Sequence, residues 1–261
     1  VSVVACLPTR QAVDQTTVGA AVRYAAIDKD AVLVAAAGNT ANPGCAQNPD
    51  IDATDAADPR NWDQVVTIST PAWFSDYVLS VSATDAAGQP AVDDSGREIS
   101  LAGPWISVAA PGLFVEGVNR EGGVINATFD SQKNMLKPMS GTSFSAAYVS
   151  GLAALIRAKY PQLPAAQVIN RITATAHSPA AVVDNRVGHG VIDPLAALNF
   201  DVPEVPAPRE SVSRPLAPPP APPPVDGRPK VIALVGVGVL AVVLAAVLGI
   251  GAMANTKGGK R

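Results

Sequence analysis

Gly141-Thr142-Ser143-Phe144-Ser145 opens a run of alanines, valines and leucines that ends at Tyr160, just before Pro161. A run of this length stopped by a proline reads as a helix. Its near-complete lack of charge predicts a helix buried in the middle of the domain. Ser143 then lies in the first turn, where unpaired N–H groups and the helix dipole favour negative charge nearby. That setting suits a nucleophilic oxygen and the oxyanion its attack creates. It suits a simple helix cap equally well, because Ser and Thr are common there. The hydroxyl alone does not choose.

The elements that must hold this hydroxyl alternate between strand and helix. "VSVVA" at residue 1 is a short apolar run, and "TTVGAAVRYAAIDKD" places Val18, Ala21, Val22, Ala25 and Ala26 on one helical face. "AVLVAAAGN" is a continuous apolar run ending at a glycine, and "DYVLSVSAT" and "WISVAAPG" read as further strands. Continuous runs of this kind suit strands buried on both faces of a parallel sheet. The body, residues 1–200, is therefore expected to be α/β.

Residues 1–200 carry 12 Lys/Arg against 18 Asp/Glu, whereas residues 201–261 carry 7 against 4. An acidic body without a basic stripe argues against nucleic acid as a partner. Residues 201–230 form a proline-rich linker that favours an extended polyproline conformation. Residues 231–254 hold no charge in 24 positions, long enough for a transmembrane helix. Residues 255–261 make a short basic tail, which fits a cytoplasmic end. The two cysteines, Cys6 and Cys45, are compatible with one bridge or with two buried thiols. The opening Val-Ser-Val-Val reads as the downstream part of a longer protein.

"GTSFSAAYVSG" resembles the serine signature of the subtilisin-like proteases, Gly-Thr-Ser-x-Ser/Ala-x-Pro-x-Val-x-Gly. Gly141, Thr142, Ser143, Ser145, Val149 and Gly151 match, and Ala147 stands where proline is usual. Other segments agree in order. "VLVAAAGN" resembles the strand and turn whose Asn, here Asn39, donates to the oxyanion. "SVAAPG" resembles the turn before the serine, and "VGHGVIDPLAAL" the closing segment and final helix. "VSVVAC" occupies the place of the strand that lines the cleft.

The resemblance implies a subtilisin-like three-layer α/β fold, a mostly parallel sheet between helices. It implies Ser143 as nucleophile and Asn39 as oxyanion donor, with Ser2, Val3, Val4, Ala36 and Gly38 bordering a cleft for an extended peptide. Neither a metal nor an organic cofactor is required. With its cysteine pair, linker and apolar span, the chain resembles more narrowly the mycosins, membrane-anchored proteases of type VII secretion. That resemblance implies a Cys6–Cys45 disulfide in an oxidising exterior, a single-pass plasma-membrane protein, an extracytoplasmic protease domain and a cytoplasmic C-terminus. It implies secreted polypeptides as substrates and membrane components of a type VII secretion complex as partners. A mainly structural role, capping or stabilising that complex, is the alternative.

The triad also needs a base and an acid. In the family these precede the cleft strand, but the only histidines here, His177 and His189, follow Ser143. The resemblance therefore places Asp and His upstream of Val1. This chain alone is expected to be inactive, because a serine hydroxyl without a base is a poor nucleophile. A rival order, Ser143, Asp184, His189, matches the α/β-hydrolases but lacks their Gly-x-Ser-x-Gly elbow. The acidic cluster Asp50, Asp52, Asp55 and Asp58 reads as a solvated loop, and Trp62 and Trp73 as loop packing.

Overall fold

A computed structural model describes residues 5–8, 15–130 and 134–203. The expected transmembrane helix 231–254, the basic tail, nearly all of the linker, and Ser2, Val3 and Val4 lie outside the described residues. No helix among the described residues is long and apolar enough to cross a membrane.

In chain order the elements are β1 (Ala5–Pro8), α1 (Thr16–Arg23), β2 (Leu33–Ala36), β3 (Thr67–Thr70), β4 (Val78–Thr84) and β5 (Ile106–Pro111). Two hairpins follow, β6 (Gly117–Val118) with β7 (Val124–Ile125) and β8 (Ala127–Asp130) with β9 (Met135–Pro138). The helices α2 (Thr142–Lys159), α3 (Ala165–Ala174) and α4 (Pro194–Asn199) complete the body.

The central sheet is parallel, in the order β2-β4-β5, as the continuous apolar runs require. Leu33 to Ala36 pair with Val78 to Val81. Between β4 and β5 the register slips after Ser80, leaving Ser107 as an extra residue whose hydroxyl accepts the Ser80 N–H at 3.1 Å. Every residue of β4 is buried. Its side chains alternate between faces, with Leu79 and Val81 on one and Val78 on the other.

The first face packs on α2, α3 and α4 through Leu79, Val81, Val108, Val149, Ile156 and Ile172, all fully buried. Burying side chains of this size contributes about 1.5–3 kcal/mol each. The second face packs on aromatic residues and Val22 of α1, so helices lie on both sides of the sheet. Trp62, Trp73 and Trp105 meet there with ring centroids 5.4–6.5 Å apart.

Two expectations need correction. The central helix is not wholly buried: Ser145, Ala146, Val149, Leu152, Ala153 and Ile156 are buried, but Tyr148 and Leu155 are 46% and 56% exposed. The described residues put the sheet against one side of α2 and leave the other open. On α1, Val22 is partly covered while Val18 and Ala21 stay exposed. In addition, β1 pairs antiparallel with β3, outside the central sheet.

Candidate active site

The site is built where β2 and β5 end and α2 begins. Gly141, at φ +140°, precedes the helix, and its N–H donates to Gly112 O at 2.7 Å. Gly112 in turn donates to Thr84 O at 2.9 Å. A Cβ on Gly112 would fall 2.3 Å from Ser145 Oγ and 2.7 Å from Ala83 Cβ. Glycine there lets the first turn of α2 rest directly on the ends of β4 and β5. Ser145 Oγ completes the contact by donating to Pro111 O at 3.2 Å.

Asn39 arrives from the other strand. Beyond β2 the chain turns through Gly38, at φ +103°, and Asn39 bridges to Ser100. Leu101 N–H to Gly38 O and Thr40 N–H to Ile99 O, both 2.9 Å, clamp Asn39 from either side. Its Oδ1 accepts from Thr142 N–H at 3.1 Å and from Thr142 Oγ1 at 3.0 Å. Two donors on one oxygen fix which way the carboxamide points. The Nδ2 group is left toward Gly141, 3.2 Å from where a Cβ there would sit. Among the described residues Nδ2 makes no hydrogen bond.

Ser143 follows Thr142 directly and is partly exposed. The cap position belongs to Gly141, so Ser143 stands inside the first turn and is not the cap. A carboxamide N–H₂, the Ser143 N–H in the first turn of an 18-residue helix and the Ser143 hydroxyl thus adjoin one another in the chain and across the Asn39–Thr142 contact. Such donors can stabilise negative charge that develops on an acyl oxygen.

Other expected site residues fall as follows. Gly38 is at the turn before Asn39, whereas Ala36 is 1% exposed and points its methyl into the aliphatic core. Any contribution of Ala36 to a cleft is confined to its backbone. Cys6 and Cys45 form a disulfide with their Cα atoms 5.1 Å apart, tying β1 to the loop after Asn39. The described residues hold no group of three or more metal-ligating side chains. Asp52 and Asp55 turn their carboxylates onto local N–H groups, and Asp50 pairs with Arg186 at 2.8 Å.

The rival order of Ser143, Asp184 and His189 does not assemble. His189 N–H donates to Ser107 O near the start of β5, while Gly141 is bonded to Gly112 just past its end. Five residues of strand, about 16 Å, separate the two attachments. Asp184 accepts from Arg186 and Val187 N–H groups in its own turn. His177 lies 3.2 Å from Asp193 and is 72% exposed at its side chain.

Thr142 is the residue whose part was missed. It sits within the quoted signature, yet only the fold brings its two donors onto a side chain 103 positions earlier.

Comparison with known proteins shows the family to which the chain belongs. Residues 6–190 match the subtilase family (peptidase S8). The chain is 52% identical to mycosin-2 of Mycobacterium tuberculosis over 258 residues, covering 95% of this chain and 45% of that protein. It is 50% identical to mycosin-5 of the same organism over 251 residues, covering 95% and 42%. Among solved structures, one of an intact ESX-5 inner membrane complex matches at 50% identity and TM-score 0.72, covering 96% of this chain and 55% of that one. A serine protease described as an essential component of the type VII (ESX-1) secretion system matches at 50% identity and TM-score 0.70, covering 76% and 51%. The chain spans about half the length of the relatives it matches.

Proposed function

The chain belongs to the subtilase family, and on that premise we propose that it carries the nucleophile and oxyanion donor of a subtilisin-like serine endopeptidase. Ser143 attacks the carbonyl carbon of a peptide bond in a secreted polypeptide. Asn39 Nδ2 and the Ser143 N–H receive the resulting oxyanion. The observation that carries this reading is the Thr142 clamp on Asn39 Oδ1, at 3.0 and 3.1 Å. It presents a carboxamide donor beside the serine before substrate arrives, so little reorganisation remains for the transition state.

The proton chemistry belongs to upstream polypeptide supplying Asp and His. The exposed face of α2, with Tyr148 and Leu155, and the open groove of about 450 Å³ lined in part by Val32, Ala154 and Arg157 offer surface for that part to cover. Residues 231–254 anchor the protein in the membrane, with the protease domain outside and the C-terminus in the cytoplasm. A fluorophosphonate probe tests the division of labour. Ser143 should be labelled when the upstream portion is joined to this chain and not by the chain alone. Equal labelling in both would sink the account, and Ser143→Ala must abolish the signal.

A second reading rests on the likeness to chains from the ESX-5 inner membrane complex and its periplasmic assembly. In it the domain also stabilises or caps a type VII secretion membrane complex, independently of proteolysis. Ser143→Ala should then leave assembly intact, as measured by native gel or co-purification. Loss of assembly would remove this second role.

A further inference from the structure

We propose that Phe114 is a specificity-determining residue, an aromatic platform that selects an apolar side chain of the polypeptide a few residues from the bond cleaved. The inference rests on the proteolytic reading of Ser143 and extends it to the substrate.

Phe114 is the second residue after the Gly112 turn and is 63% exposed. Its φ is +52°, in the left-handed region where a side chain crowds the backbone. Three hydrogen bonds impose that conformation. Phe114 N–H donates to Ser140 Oγ at 3.1 Å, Val115 N–H to Met139 O at 2.8 Å, and Gly141 N–H to Gly112 O at 2.7 Å. Val115, next in sequence, is buried and anchors the segment. The stretch 112–115 is thus laced to 139–141, which runs straight into the first turn of α2.

This lacing fixes the distance scale. Ser140 is three residues before Ser143, and even an extended chain covers at most about 3.6 Å per residue. Ser140 therefore lies within about 11 Å of the nucleophile, and Phe114 is held against Ser140. A bound extended peptide advances about 3.3 Å per residue. The substrate side chain that meets the ring is therefore within about four positions of the scissile bond.

A ring turned to solvent on a strained backbone gains nothing for the fold. Two more apolar side chains shortly after it in the chain are turned to solvent: Val118 and Val124, paired on the facing strands of the first hairpin, are each 74% exposed. A substrate side chain that is aliphatic or aromatic gains contact on this surface, through dispersion and ring–ring geometry. A serine or aspartate at the same position gains none.

The test uses the full-length protease and a peptide library varied at each position within four residues of the cleaved bond. In the parent protein kcat/KM should favour apolar over polar residues at one of these positions, by about tenfold. Phe114→Gly suits φ +52° and so tolerates the backbone; it should bring that ratio close to one, and Phe114→Leu should retain part of it. An unchanged ratio in Phe114→Gly overturns the inference, as does a uniform fall across all peptides, which signals a structural role. Failure of the parent protein to cleave or to take up a fluorophosphonate overturns instead the proteolytic reading beneath it.

Discussion

The two ends of the parallel sheet both carry polar side chains, and they differ in how fully these are satisfied. At the start of β5, Asn185 is completely buried and fully engaged. Its Oδ1 accepts from Arg60 Nε at 3.1 Å, and its Nδ2 donates to Arg60 O and Pro49 O at 2.8 and 3.3 Å. Arg60 also donates to the carbonyls of Ile106 and Asp184 at 3.2 and 2.8 Å. At the other end, Asn39 has its oxygen occupied and, among the described residues, its Nδ2 left over. A saturated network fixes a fold, whereas a half-used one leaves a group for something else. Ligands of open α/β sheets bind beyond the carboxyl ends of the strands, and the unspent donor is at that end.

The largest effect that separates the two ends concerns turnover. Asn39→Leu should lower kcat of the full-length protease by roughly 10²–10³-fold with little change in KM, because an oxyanion donor acts mainly in the transition state. A change confined to KM would remove Asn39 from that role. Its counterpart, Asn185→Leu, should act on stability instead. Leaving the Arg60 groups and two carbonyls without their partner should cost about 1–3 kcal/mol in denaturant unfolding, with kcat of the folded protein preserved. Parallel losses of kcat in both variants would erase the distinction between the ends.

The smallest effect is one of pH, and it belongs to the structural end. Burial, and then the nearby Arg60 charge, hold the His189 imidazole below its ordinary value. A histidine depressed in the folded state favours the neutral form. Its contribution is present above the unfolded value of about 6.5 and is lost as pH falls below it. The denaturant midpoint should therefore drop further between pH 7.5 and 5.5 in the parent chain than in His189→Gln. Identical profiles would show that this imidazole is not coupled to folding.

Much of the positioning framework was legible in residue order. The continuous apolar run at 31–39 and the strand-like stretches at 76–84 and 105–112 gave the three parallel strands of the central sheet, although one face of β4 carries Ser80, Ser82 and Thr84, buried all the same. Gly112 of "SVAAPG" and Gly141 of "GTSFSAAYVSG" marked the turns that meet, since a Cβ on Gly112 would strike Ser145 Oγ and Ala83 Cβ where the helix start touches the strand ends. Less legible was the burial of α2. Its composition is apolar nearly all round, and which side is covered depends on partners distant in the chain. Trp62, Trp73 and Trp105 likewise gave no periodic signal, being spread over loops and gathered only by the sheet's second face.

What the sequence settled by itself was local: where the three strands of the central sheet and the long helix run, where Gly112 and Gly141 must stand, and that a serine enters the first turn of that helix. Those follow from periodicity and from steric limits that act within a few residues. The tertiary structure alone decided that Gly141 takes the cap, that Thr142 orients Asn39, and that His189 sits at the far end of β5. These depend on contacts between positions up to 103 residues apart, and no local rule fixes how such distant pieces are turned toward one another.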